Sequence, residues 1–215
     1  MNIVQNFVSP CKYNIKCPYP MTPEFIVVHN TANDASARNE VAYMIRNNDK
    51  VSFHYAIDDK EIIQGIPENR NAWHAGDGAN GQGNRKGLGI EICYSKSGEK
   101  RFEDAEKLAA KFIAYKLKEK GWDIDKVKKH QDFSGKYCPH RTLDMGWQRF
   151  LDMVKSELDK LKGGATVAEK NVPSSWAKEA WEWAKKEKLL DGTRPKDTLT
   201  REEFAVVLKR LVEKK

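Results

Sequence analysis

Two histidines and one cysteine carry the chemistry that is easiest to read in this chain. His130 and Cys138 stand eight residues apart in a segment crowded with turn formers, Gln131-Asp132-Phe133-Ser134-Gly135-Lys136-Tyr137-Cys138-Pro139, and His29 lies far upstream. Two imidazoles and a thiolate suit zinc, and three protein ligands leave a fourth tetrahedral position for water, as in catalytic rather than structural sites. His140, two residues past Cys138, is a rival ligand in the same segment. Glu91, in a strand-like run, calls for a partner: a lysine in an ion pair, or a proton donor and acceptor in catalysis. His54, between Phe53 and Tyr55, reads as a core histidine with its hydrogen bonds satisfied.

These residues need elements to position them. Glu24-Phe25-Ile26-Val27-Val28-His29, bounded by Pro23 and the polar run from Asn30, predicts a buried strand that delivers His29 at its C-terminal end. Val41, Met44 and Ile45 predict a helix over 36–47. Segments 52–57 and 61–66, separated by Asp58-Asp59-Lys60, predict a hairpin. The run from Gly76 to Asn84 is Gly- and Asn-rich and predicts an exposed, functional loop over 69–87. Leu88 to Tyr94 is a further strand, with Ile90 and Ile92 on one face and Glu91 and Cys93 on the other. Helices follow over 103–120, stopped by Gly121, and over 147–161, with a short strand at 127–130 between them.

The 215 residues hold 40% apolar and 32% charged side chains, enough for a core and too many apolar groups for disorder. No stretch approaches the ~20 apolar residues of a membrane span, and the first residues lack the charged and apolar regions of a signal peptide. Synthesis and retention in the cytoplasm until release are therefore expected. A net charge of +7 predicts a polyanionic partner. There is no groove-reading motif and no basic face with aromatic platforms, which argues against nucleic acid. Four cysteines, at 11, 17, 93 and 138, are too sparse for a disulfide framework. Cys93 reads as a small buried hydrophobe, and Cys11 and Cys17 as thiols.

Val27-Val28-His29-Asn30-Thr31-Ala32, then Gly89-Ile90-Glu91-Ile92, then Lys129-His130-Gln131 and Lys136-Tyr137-Cys138-Pro139, resembles the zinc-dependent N-acetylmuramoyl-L-alanine amidases of phage endolysins and prophages, over residues 20–150. The resemblance implies an α/β fold like that of the peptidoglycan recognition proteins, with a mixed central sheet flanked by helices. It implies one zinc ion held by His29, His130 and Cys138, with Glu91 as general base and Lys136 as the oxyanion's partner. The bond cut would join the lactyl group of N-acetylmuramic acid to L-alanine. Ala72-Trp73-His74-Ala75-Gly76 also resembles the family, and with Asn30 and Thr31 it implies substrate contacts from Trp73, His74 and those two residues. Where some phage amidases carry tyrosine this chain has Phe53, and Tyr55 is expected on the same strand face without replacing it. The alternative on the same fold is a non-catalytic peptidoglycan receptor, against which Cys138 argues.

Gly163-Gly164-Ala165-Thr166 has a linker's composition, dividing a catalytic domain at 1–162 from a linker at 163–170 and a small all-α domain at 171–215. Trp176, Ala180, Trp183 and Ala184 share one helical face, capped by Ser174 or Ser175. Asp191-Gly192 makes a turn, and Thr200-Arg201-Glu202-Glu203 is a capping box before Phe204, Val207, Leu208 and Leu211. Over a few positions this tail resembles a single S-layer homology unit, which implies binding to peptidoglycan and anionic wall polymers, or self-association. The bland reading is a stability cap.

Overall fold

A computed structural model describes residues 1–96, 99–163, 173, 177–190 and 201–213, apart from the side chains of 201–203 and 213. The chain divides into two compact units, Met1–Leu161 and Lys162–Lys215.

In the first unit, β1 (Val4–Gln5), β2 (Phe25–Asn30), β3 (Tyr55–Ile57), β4 (Ile62–Gln64), β5 (Gly87–Ile92) and β6 (Val127–Lys129) form one sheet in the order β1-β4-β3-β5-β2-β6. The hairpin pair β3 and β4 is antiparallel and the other pairings are parallel. β2 and β5 are central and buried on both faces, which is why their apolar runs barely alternate.

The ladder of the hairpin is shorter than alternation predicts. Ser52 N donates to Trp73 O and Phe53 N to Met44 Sδ, so this segment bonds away from the sheet. Regular alternation therefore starts only at Tyr55. The expectation that Phe53 and Tyr55 share a face fails for that reason. Phe53 lines the cavity described below, whereas Tyr55 packs edge-on against Phe112 and donates to Glu68 Oε1 at 2.6 Å.

α1 (Tyr13–Lys16), α2 (Ala37–Arg46), α3 (Gln82–Lys86) and α4 (Glu99–Lys120) follow the chain between strands. α4 packs on β3 and β5 and buries Phe102, Ala105, Ala109, Phe112, Ile113 and Leu117. Gly121, at φ +66°, ends it with a conformation that glycine adopts freely. α5 (Gln131–Ser134), α6 (His140–Asp144) and α7 (Trp147–Leu161) complete the unit. α7 packs on α4 through Phe150, Val154 and Leu158, four residues apart, as its period predicts.

Ser36 Oγ caps α2 by accepting from Asn39 N, and Asp58 ties the hairpin turn to the same helix by accepting from Ala37 N. At the other end of α2, Lys12 Nζ donates to the carbonyls of Ile45, Arg46 and Asn47. Lys16 is buried, and its Nζ donates to Asn47 Oδ1, Asp49 O and Val51 O at 2.6, 2.7 and 3.1 Å. A buried ammonium requires this full set of acceptors.

The Gly- and Asn-rich segment is more ordered than a plain loop. Asp77 accepts from Gly83 N and Asn84 N at the start of α3, and Asn84 Oδ1 accepts from His74 N and Ala75 N, both at 2.8 Å.

The second unit contains α8 (Lys178–Lys186) and α9 (Arg201–Glu213), and Arg210 Nη1 donates to Leu189 O. Phe204, Leu208 and Leu211, expected on one side of their helix, are exposed, as is Trp183; among the described residues of this unit only Leu189 is buried. A unit of this size has little surface with which to cover them. Trp176, Ser174, Ser175, the linker beyond Gly163, Asp191-Gly192 and Thr200 lie outside the described residues, as do the side chains of Arg201, Glu202 and Glu203. No helix among the described residues is long and apolar enough to cross a membrane.

Candidate metal centre

β2 ends in His29-Asn30, and the parallel register sets His29 beside Glu91 of β5. β6 runs directly into His130, whose N–H donates to Val28 O and so fixes it next to β2. α5 and the following turn then return the chain to the same place, with Gln131 N donating to Cys138 O. Three strands and one loop thus bring together residues more than one hundred positions apart.

His29 Nδ1 lies 2.9 Å from His130 Nδ1 and 3.9 Å from Cys138 Sγ, and one donor atom from each residue falls within a 4.8 Å group. All three are buried. Tetrahedral zinc, with bonds of ~2.0–2.1 Å to nitrogen and ~2.3 Å to sulfur, sets nitrogen pairs ~3.3 Å apart and nitrogen–sulfur pairs ~3.6 Å apart. The two separations from His29 lie within a few tenths of an ångström of that geometry, and two imidazoles with a thiol form a borderline-soft donor set.

Burial, then the neighbouring His74 and His130, holds His29 well below the usual imidazole range. Burial and then Lys136 lower His130, against Asp77. Both shifts favour the neutral ring, the form that can ligate. Burial, with Glu91 adding to it, pushes the Cys138 thiol up to about 11, against N–H donors from Asn30 and His140. His140 opens α6 and supplies its backbone here, and its ring is not part of the cluster.

The cluster opens into a cavity of about 760 Å³ that Glu91 and Lys136 also line. Glu91 Oε2 is enclosed without a hydrogen-bond partner. Burial pushes its carboxyl up to about 8; Glu40 adds to the effect and Lys136 opposes it. Lys136 is exposed at the rim.

The residues expected to touch substrate divide. Trp73 lines the cavity with Tyr19 edge-on to it, and its Nε1 donates to Ile15 O. Asn30 borders the cavity, but its amide is engaged with Thr142, accepting from Thr142 N and donating to Thr142 Oγ1. Thr31 is buried, and its hydroxyl faces Asn33 O and Ile92 O. His74 also borders the cavity and is buried against His29, with Nδ1 at 3.0 Å from His29 Nε2. His54 is satisfied on both nitrogens, by Arg70 O and Gly89 N. Sequence reasoning missed Ser134, whose Oγ lies 3.0 Å from His130 Nε2. Its place four residues after His130, in a helical turn, was the available signal.

A parallel-rich sheet carrying a His–His–Cys cluster and a carboxylate at the ends of its central strands defines an α/β protein with a metallohydrolase's arrangement of groups. The family profile described as N-acetylmuramoyl-L-alanine amidase matches residues 19–141. N-acetylmuramoyl-L-alanine amidase CwlA of Bacillus subtilis (strain 168) is 56% identical over 184 residues, 83% of this chain and 68% of that protein. N-acetylmuramoyl-L-alanine amidase XlyB of the same strain is 57% identical over 178 residues, 82% of this chain and 55% of that protein. The solved structure of PlyL superposes with a TM-score of 0.71 at 54% identity, covering 73% of this chain and 99% of that one.

The chain belongs to the N-acetylmuramoyl-L-alanine amidase family. It is an amide hydrolase of peptidoglycan, with the mixed sheet and flanking helices expected from its sequence. It spans between about half and two thirds of the length of these two relatives.

Proposed function

We propose that the chain is a zinc-dependent lytic endolysin that cuts the amide between N-acetylmuramic acid and L-alanine after release from the cell in which it is made. The observation that carries this is the convergence of His29 Nδ1, His130 Nδ1 and Cys138 Sγ beside Glu91 in one cavity. These three residues would hold the ion, which when bound supplies Lewis acidity toward both water and the scissile carbonyl.

Glu91 takes the proton of the attacking water and passes it to the leaving amine. A carboxyl poised near neutrality does both parts of that exchange well. As the new C–O bond forms and the C–N bond breaks, the ammonium of Lys136 faces the charge that builds on the carbonyl oxygen. Trp73 and Tyr19 offer aromatic surface to sugar and peptide. Asn30, with its amide bound to Thr142, serves the groove by shaping its wall. The second unit, on this reading, holds the enzyme to peptidoglycan and its anionic polymers, which the net charge of +7 favours.

The test is to incubate the full chain with purified walls, with and without a chelator. New L-alanine amino termini that vanish with chelation support the proposal. New reducing sugar ends, or no products at all, overturn it; wall binding without products favours the receptor alternative.

A further inference from the structure

His74 stands behind a metal ligand. Its Nδ1 lies 3.0 Å from His29 Nε2, while the other nitrogen of His29 faces His130 and Cys138. The Nε2 of His74 lies 3.1 Å from the carbonyl oxygen of Gly87. A carbonyl oxygen only accepts, so His74 Nε2 carries a proton. In the neutral ring Nδ1 then bears the lone pair and accepts from Nε2–H of His29. That leaves a lone pair on Nδ1 of His29, the nitrogen aimed into the cluster.

The order of protons is thus set by the main chain of β5. The other ligand histidine lacks such a device, since His130 Nε2 meets the hydroxyl of Ser134, which accepts or donates with equal ease.

The place of His74 is built for the purpose. Its backbone N–H donates to Asn84 Oδ1, and its ring is buried against β5. A Cβ on Gly89 would come within 2.7 Å of Cγ and Cδ2 of His74, so only glycine leaves room for the imidazole. β5 therefore supplies both the carbonyl that orients the ring and the gap that admits it.

We propose that His74 is a positioning residue: it relays the Gly87 carbonyl to His29, locks His29 as the Nε2–H tautomer, and holds its Nδ1 lone pair on the metal site. This rests on the metal reading above. Outer partners of this kind commonly change metal affinity ~10–100-fold.

The first measurement needs no metal. In metal-free full-length protein labelled with ¹⁵N-histidine, long-range ¹H–¹⁵N correlation should show His29 and His74 both protonated at Nε2; protonation of His29 at Nδ1 would overturn the relay. The second is zinc affinity by competition with a chromophoric chelator. His74→Phe should bind zinc ~10–100-fold more weakly. His74→Asn, whose Oδ1 takes the place of Nδ1, should recover a large part of that loss. Wild-type affinity in His74→Phe, or no recovery in His74→Asn, would overturn the proposal. Affinities are compared where the variants keep the wild-type circular dichroism, with His74→Ala substituted if phenylalanine is not accommodated. Failure of the wild type to bind zinc would remove the metal reading instead, and the tautomer measurement would still judge His74.

Discussion

His29 and Glu91 are direct partners in the parallel ladder between β2 and β5, so their side chains leave the same face of the sheet side by side. A candidate ligand and a candidate base are held by backbone bonds rather than by loops. Glu91→Gln keeps the shape of this pair and removes its proton chemistry. It should retain zinc and lose ~10²–10⁴-fold in turnover, as expected for a proton-transfer group. Release of L-alanine amino termini and metal content measured on the same sample check it, and an active variant would exclude Glu91 from proton transfer.

Chelation should destabilise the fold as well as stop turnover. A ligand present at about 100 times its Kd stabilises the native state by ~2.7 kcal/mol. The thermal midpoint should therefore fall on chelation in the wild type and stay unchanged in His29→Ala, read by circular dichroism.

Gly89→Ala tests how tightly the ring of His74 is seated. Its new Cβ would lie 2.7 Å from that ring, so one of them must move. The expected result is a loss of ~1–3 kcal/mol in stability, in the range of an overpacked core. Chemical denaturation measures it, and an unchanged midpoint would show that the ring shifts freely.

Acid should weaken the protein through Glu68 and His54. Burial alone would raise the Glu68 carboxyl, but hydrogen bonds from Lys116, Lys120 and Tyr55 overcome it and hold the group at about 2. Unfolded, it titrates near 4.5, so its stabilisation is present above that pH and is lost as pH falls toward 2. Burial lowers His54 to about 4 from 6.5; the unfolded chain thus takes up a proton first, and stability declines from pH 6.5 down to 4. Glu68→Gln should cost ~1–3 kcal/mol at neutral pH, because Lys116 and Lys120 lose a half-buried charged acceptor while Lys116 keeps Glu119. It should also flatten the decline below pH 4.5, measured by urea unfolding across pH.

For the second unit, inactive Glu91→Gln should sediment with walls, and the same chain lacking 164–215 should remain largely in the supernatant at low salt. Equal sedimentation would favour the stability-cap reading.

The order of strands and long helices was legible because burial leaves a period in the sequence. Val154 and Leu158 recur at helical spacing in α7, and Ile26 to Val28 form an uninterrupted apolar run. The cluster was legible from residue types at a strand end and in a turn. Tertiary hydrogen bonds were not. Nothing local distinguishes Phe53, whose N–H turns to Met44, from the ladder residues that follow it. His74 reads as a groove residue from the resemblance of segment 72–76, and it does border the cavity, but its bond to Gly87 O exists only once β5 has formed.

The two lysine anchors near the start of the chain bear on how the enzyme can be trimmed. Lys12 and Lys16 grip the end of α2 and the turn through Val51, and Ile15 O receives the indole of Trp73. All three precede residue 19, where the match to the family begins. A minimal fragment cut at the family boundary would keep every candidate ligand yet release one bank of the cleft, so the smallest competent catalytic piece extends upstream of the segment that family likeness defines.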